Sequence, residues 1–115
     1  MSESKLRELS MEFSVDIIEL VKYLKSIKES IISNQIGRSG TSVGANIREA
    51  KYAHGTTDFI SKMQIALKEC SESEYWIELL IESGYYSETE ILAKCTELKR
   101  ILIASLNTAK ENKHD

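Results

Sequence analysis

Residues 40–44 read Gly-Thr-Ser-Val-Gly and match the G-x-S-x-G pattern around the nucleophilic serine of many hydrolases. That pattern needs a strand before the serine and a helix after it, so that the hydroxyl projects from a sharp turn. The serine also needs a base to accept its proton. Outside the C-terminal tail the chain has His54 alone, and no alternating apolar pattern indicates a sheet. We therefore expect Ser42 to be a small packing residue and not a nucleophile.

The remaining polar patterns do not assemble a site for a metal or a cofactor. No Gly-Lys-Ser or Gly-Lys-Thr follows the glycines, as a phosphate-binding loop requires. His54 and His114 have no partner at metal-ligand spacing, and Cys70 and Cys95 do not form a C-x-x-C pair. The sequence predicts no metal and no cofactor, two buried free thiols, and a protein that is not an enzyme.

Acidic side chains are concentrated in the second half of the chain, although the net charge is only −3. Residues 52–90 carry two basic and eight acidic side chains. Their glutamates lack the Glu-x-x-His motif of di-iron bundles, so we interpret them as a solvated acidic face. The glutamates of this face are Glu69, Glu72, Glu74, Glu78 and Glu82.

A basic segment precedes the acidic one and is the best candidate for a binding surface. Residues 22–51 carry six basic and two acidic side chains. Cations along one face would attract the phosphates of a nucleic acid. The candidate nucleic-acid contacts are Lys25, Lys28, Arg38, Arg48 and Lys51. The alternative is that these cations form ion pairs with the acidic segment of the same or a neighbouring subunit.

Four segments with helical periodicity must position these residues. In the first, apolar residues recur every three or four positions from Leu6 to Ile27, which is typical of a helix in a bundle. The chain of 115 residues contains no proline and no β pattern. We predict one all-α domain, residues 1–115, folded as an antiparallel up-down-up-down four-helix bundle. The predicted helices span residues 4–27, 31–53, 57–83 and 88–110.

Short turns separate the predicted helices. The first turn is placed near residues 28–30, where the sequence has no strong helix breaker. Gly55 is expected to end the second helix and Gly84 the third, because glycine readily adopts the left-handed conformation found at helix ends.

Hydroxyl side chains are expected to cap the third and fourth helices. Thr56 or Thr57 stands where a cap of the third helix belongs, because its oxygen can accept an otherwise unpaired backbone amide. Ser87 and Glu90 have the spacing of a capping box, in which the serine accepts the amide of the glutamate and the glutamate reaches back.

The second predicted helix contains the most informative segment, residues 35–51. It includes three glycines, which would usually mark a loop, yet Ile36, Val43 and Ile47 occur at helical spacing. We predict a helix whose small residues allow close approach of a neighbour. A large side chain would overpack that contact, so Gly44→Leu is expected to disrupt folding or assembly.

The same segment resembles the signature of the 23S ribosomal RNA intervening-sequence proteins, a four-helix bundle family. The family pattern is close to Q-x-R-R-A-x-x-S-I-x-x-N-I-x-E-G, and the resemblance covers about residues 5–110. The signature and helix-contact residues that it implies are Gln35, Ser42, Gly44, Ala45, Asn46 and Glu49. The resemblance also implies that the glycine-rich segment is helical.

The resemblance further implies a homo-oligomer, expected to be a pentameric ring or barrel. The accessory variability determinant of diversity-generating retroelements looks like a relative, and it is a basic pentamer that engages nucleic acid and a reverse transcriptase. We therefore predict a non-enzymatic oligomer that binds RNA, DNA or a nucleic-acid enzyme. The alternative is a structural or protein-interaction scaffold that binds no nucleic acid. The chain has no apolar run near the ~20 residues that span a bilayer, so we expect a cytoplasmic protein without membrane contact.

Overall fold

The computed structural model of the protein describes residues 2–113, with side chains from residue 5 onward. Within that range four helices follow one another: α1 (Ser2–Ser26), α2 (Ile31–Lys51), α3 (Thr56–Glu82) and α4 (Glu90–Glu111). Their ends differ from the predicted ones by at most two residues. The described residues include no strand. None of these helices is long and apolar enough to cross a membrane.

The helices form one closed bundle. Helix α1 contacts α2 and α4, and α3 contacts the same two helices. Short turns join consecutive neighbours, so adjacent helices run antiparallel, and the predicted four-helix bundle is confirmed. The bundle measures 51 × 20 × 20 Å. The larger side chains that are fully buried in its core are Phe13, Ile17, Leu24, Ile36, Val43, Met63, Cys70, Ile77, Leu80, Cys95, Leu98 and Leu102.

The turn between α1 and α2 contains a left-handed residue. Lys28 has a φ of 66°. Its amide donates to the carbonyl of Lys25 at 3.0 Å, and the Glu29 amide donates to the carbonyl of Leu24 at 2.9 Å. These two bonds are those of a Schellman motif, which satisfies the last carbonyls of a helix. The motif explains how α1 ends without a glycine or a proline.

A buried glutamate caps the start of α2. The carboxylate of Glu29 accepts the backbone amides of Ile31 at 3.2 Å, Ile32 at 3.0 Å and Ser33 at 2.8 Å. The first amides of a helix have no partner within the helix, and they carry its positive partial charge. Glu29, which is only 9% exposed, therefore satisfies three donors at once.

The end of α2 differs from the prediction. Gly55 has a φ of −179° and is the extended residue that precedes α3, so its assignment as a left-handed helix end was wrong. Thr56 is the first residue of α3, and no side-chain bond caps that helix. The carboxylate of Asp58 instead accepts the amide of His54 at 3.1 Å and ties the turn to the first turn of α3.

The end of α3 matches the prediction, whereas the start of α4 does not. Gly84 has a φ of 86° and follows α3 in the left-handed conformation. Thr89 precedes α4, and no side chain caps it. Because Glu90 is the first helical residue, it lies too early for the reach back to Ser87, and the predicted capping box was wrong.

Glycines of α2 bring it close to α1. A Cβ atom on Gly40 would lie 2.7 Å from Cγ1 of Ile17, which is closer than side-chain atoms approach one another. A Cβ on Gly44 would lie 3.2 Å from the Ser14 hydroxyl, and one on Gly37 would lie 3.4 Å from Val21. The glycine-rich segment is thus a helix, as predicted, and its tightest contact is at Gly40.

Candidate nucleic-acid interface

The side chain of Arg38, a residue of α2, reaches α3, where two glutamates neutralise its charge. Its guanidinium binds Glu69 at 3.1 Å and Glu72 at 2.5 Å. The indole N–H of Trp76 also donates to Glu72, at 3.0 Å. The Trp76 bond, followed by Arg38, lowers the pKa of the Glu72 carboxyl below its ordinary value. Arg38 therefore forms ion pairs with the acidic helix α3, which was the alternative to contacting a phosphate.

The glutamates of α3 are not one solvated face. Besides the two that bind Arg38, Glu74 accepts the ammonium of Lys99 at 2.5 Å and the hydroxyl of Thr96 at 3.1 Å. Only Glu78 and Glu82 are exposed. The expectation of a solvated acidic face was therefore wrong for the three glutamates that connect α3 to α2 and α4.

The other candidate cations lie near the two ends of α2. Lys25 and Lys28 are exposed beside the α1–α2 turn, and Lys25 donates to the side chain of Asn34 at 3.3 Å. Arg48 and Lys51 lie in the last turn of α2. A helix rises 1.5 Å per residue, so roughly 30 Å separate the two ends. The five candidates therefore do not form one continuous strip.

Arg48 and Lys51 are part of a pocket near one end of the bundle. Arg7 of α1 and Tyr52, which follows α2, complete its rim. The Lys51 ammonium lies 5.7 Å from the centre of the Tyr52 ring, within the range of a cation–π contact. We call this cavity of about 300 Å³ the basic pocket.

The floor of the basic pocket is apolar. It consists of Leu6, Ile47, Phe59 and Met63. Leu6 and Met63 are 2% exposed and Ile47 is 8% exposed, so they belong to the core of the bundle. A cationic rim over an apolar floor can accept a ligand that is anionic at one end and apolar or aromatic at the other.

The cations of the basic pocket have no anionic partner among the residues whose side chains are described. Several other cations do have one: Lys62 binds Glu49, and Lys94 binds Glu12 and Asp16. Those that bind glutamates elsewhere in the bundle are Lys5, Arg38, Lys99 and Arg100. The basic pocket therefore brings three positive charges together without a described carboxylate beside them.

Arg7 and Tyr52 were not predicted as site residues. Arg7 lies 41 positions before Arg48, and only the packing of the start of α1 beside the end of α2 brings them together. Tyr52 directly follows Lys51, and an aromatic residue beside a basic cluster was the one available signal.

The signature residues mainly support α2 itself and its contacts. The hydroxyl of Ser42 donates to the Arg38 carbonyl at 2.7 Å, and the Asn46 amide donates to the Ser42 carbonyl at 2.9 Å. Glu49 binds Lys62 of α3 at 3.0 Å. Ser42 thus lies mid-helix, without the strand-to-helix turn of a nucleophile. The signature residues that are exposed on α2 are Gln35, Ala45 and Glu49.

The two cysteines are buried free thiols, as predicted. The sulfurs of Cys70 and Cys95 lie 3.8 Å apart across the α3–α4 contact. The neighbouring thiol and burial raise the pKa of Cys95. No group of three potential metal ligands occurs among the described residues, a range that does not include His114.

Comparisons with known proteins identify the family. Residues 2–104 match the family model described as "23S rRNA-intervening sequence protein". A crystal structure of a protein of unknown function from the S23 ribosomal protein family of Bacteroides thetaiotaomicron is similar, with 45% sequence identity and a TM-score of 0.89. The similarity covers 93% of this chain and 99% of that one. No curated protein matches the chain. The chain belongs to the 23S rRNA-intervening sequence protein family.

Proposed function

We propose that the protein is a non-enzymatic homo-oligomer that binds nucleic acid. The observation that carries the proposal is the cluster of Arg7, Arg48 and Lys51, whose charges no described carboxylate neutralises. Phosphates supply the matching charge, and arginine side chains fit them with two hydrogen bonds. The family is described by reference to an intervening sequence of 23S rRNA, so RNA is the first polymer to test.

Lys25 and Lys28 form a second, smaller site in the proposal. They are exposed at the opposite end of α2 from the basic pocket. A nucleic-acid strand that runs along α2 would reach both sites. Arg38 has a structural role instead, because Glu69 and Glu72 already occupy its guanidinium.

The outer face of α1 supports self-assembly. Met11, Val15 and Ile18 are 51%, 51% and 49% exposed. Their spacing of four and three residues places them on one side of the helix, away from the core. Exposed apolar stripes of this kind mark interaction surfaces, and a second copy of the chain is the partner that we propose. A pentameric ring is the arrangement to test.

Binding to RNA can be measured as a function of salt. The affinity for a single-stranded RNA should fall steeply between low and moderate salt, because each phosphate contact releases counterions. Replacing Arg48 and Lys51 together by glutamine should lower the slope of log affinity against log salt by about 1.4. The control variant replaces the exposed Lys68 and Lys110 by glutamine, which changes the net charge equally. No binding of any RNA or DNA at low salt would refute the proposal and favour the scaffold alternative.

Assembly can be measured by light scattering coupled to size-exclusion chromatography. Val15→Glu should dissociate the oligomer, because it buries a charge in the proposed contact. Ser61→Glu, at an exposed position of α3, is the control and should leave the size unchanged. A wild-type protein that elutes as a 13.0 kDa monomer would contradict the assembly proposal.

A further inference from the structure

We propose that the basic pocket binds one unpaired nucleotide. Its phosphate would lie among Arg7, Arg48 and Lys51, and its base against Tyr52 and the apolar floor. The inference rests on the proposed function and deepens it, because it assigns the unit of nucleic acid that the protein recognises.

The size of the basic pocket favours a single nucleotide. Its volume of about 300 Å³ is at the lower end of the range of small-ligand sites, roughly 300–1,000 Å³. A base in a duplex is stacked between its neighbours and cannot enter such a cavity. An unpaired base can leave the stack and place its π-face on an aromatic side chain. Tyr52 is 73% exposed at the rim and offers that surface.

The chemistry of the basic pocket changes from its rim to its floor in the way a nucleotide does. Two guanidinium groups and one ammonium group surround the opening, and phosphate is the anion that such a set prefers. Below them, Ile47 and Met63 are almost fully buried and present apolar surface to the pocket. A buried apolar floor gives no partner to a second charged group, whereas a base can pack its flat face there.

A neighbouring cavity shows what distinguishes the basic pocket. That cavity has a volume of about 460 Å³ and is lined by Lys5, by Phe59, which it shares with the basic pocket, and by residues of α4 that include Arg100. Both cations bind the carboxylate of Glu97, at 3.9 and 2.6 Å. A phosphate would have to displace this carboxylate, so the larger cavity is the poorer site.

Fluorescence anisotropy with labelled RNA tests the inference. We expect a single-stranded decamer to bind at least about tenfold more tightly than a duplex of the same sequence. Tyr52→Leu should weaken the single strand about tenfold, the loss that removal of one stacking aromatic produces, and leave the duplex unchanged. Tyr75→Leu, at another exposed tyrosine, and Arg100→Gln, in the neighbouring cavity, are controls that should bind as the wild type does. Thermal melting of each variant checks that it is folded.

Competition experiments distinguish a site for a nucleotide from a site for phosphate alone. Adenosine monophosphate should displace the single strand at a lower concentration than inorganic phosphate, because it also supplies a base. Equal displacement by the two, or an unchanged affinity in Tyr52→Leu, would overturn the nucleotide site while leaving phosphate-driven binding in place. Binding of the mononucleotide without binding of any strand would support the pocket and overturn the proposed function. Absence of binding for every RNA and mononucleotide would overturn both.

Discussion

Gly40 of α2 and Ile17 of α1 set how closely these two helices approach each other. Gly40 has no side chain, and the space that a Cβ would need is occupied by the fully buried Ile17. Glycine in a helix costs up to about 1 kcal/mol relative to alanine, so the close contact must offset that cost. The Gly44 position is more tolerant, because its nearest neighbour is the hydroxyl of Ser14, which can rotate.

Gly40→Ala should therefore destabilise the protein, although alanine is the better helix former. We expect a loss of roughly 1–3 kcal/mol in the free energy of unfolding, measured by urea denaturation. Gly55→Ala is the control, because no atom of the described residues lies within 4 Å of its Cβ position, and its effect should stay within about 0.5 kcal/mol. A denaturation midpoint of Gly40→Ala equal to or above that of the wild type would contradict the packing account.

Glu72 makes stability depend on pH. Its pKa is lowered in the folded state by Trp76 and Arg38, so the folded protein prefers the ionised carboxylate. That contribution is fully present above the ordinary pKa of 4.5 and is lost as the pH falls through the lower, folded value. Glu72→Gln should thus be less stable than the wild type at pH 7 and lose less stability on acidification. Denaturation series at pH 7 and pH 3 test this, and parallel losses in both proteins would contradict it.

At the scale of the helices, α1 and α3 end in the same backbone motif but have different residues at its left-handed position. Both α1 and α3 finish with the bond pair of a Schellman motif, but Lys28 holds the left-handed position in the first and Gly84 in the second. A residue with a side chain pays roughly 1–2 kcal/mol for that conformation, and glycine does not.

Lys28→Gly should therefore stabilise the protein by about 1 kcal/mol, seen as a higher urea midpoint. The reverse exchange, Gly84→Lys, should destabilise it by a similar amount. If both exchanges shifted the midpoint in the same direction, the conformational explanation would fail.

Sequence patterns predicted the helices better than their ends and better than the site. Apolar spacing sufficed for α1, because the side chains from Leu6 to Leu24 need only repeat with the helix. The cap on α2 escaped prediction because it is made by the long side chain of Glu29 and not by a short hydroxyl residue. The rim of the basic pocket could not be predicted, because no local pattern in the sequence relates Arg7 to Arg48. The two residues meet only because the start of α1 packs beside the end of α2.

At the scale of the whole molecule, the two cysteines report on opening of the bundle. Cys70 and Cys95 are fully buried, and thiols react through the thiolate, which the raised pKa of Cys95 disfavours. Labelling with a maleimide should be at least about a thousandfold slower in the folded protein than in urea, because only open molecules react. Two single-cysteine variants, Cys70→Ala and Cys95→Ala, test the two positions separately. Rapid labelling under native conditions would contradict the buried assignment.

The distribution of ion pairs has a consequence for the response of the bundle to ionic strength. Among the described side chains, salt bridges connect α2 to α3, α3 to α4, and α1 to α4. The α1–α2 contact contains none, and close glycine packing sustains it instead. Salt screens charges but strengthens apolar burial when the anion is sulfate. The α1–α2 contact should therefore be the helix–helix contact that added salt weakens least, because it has no ion pair to screen.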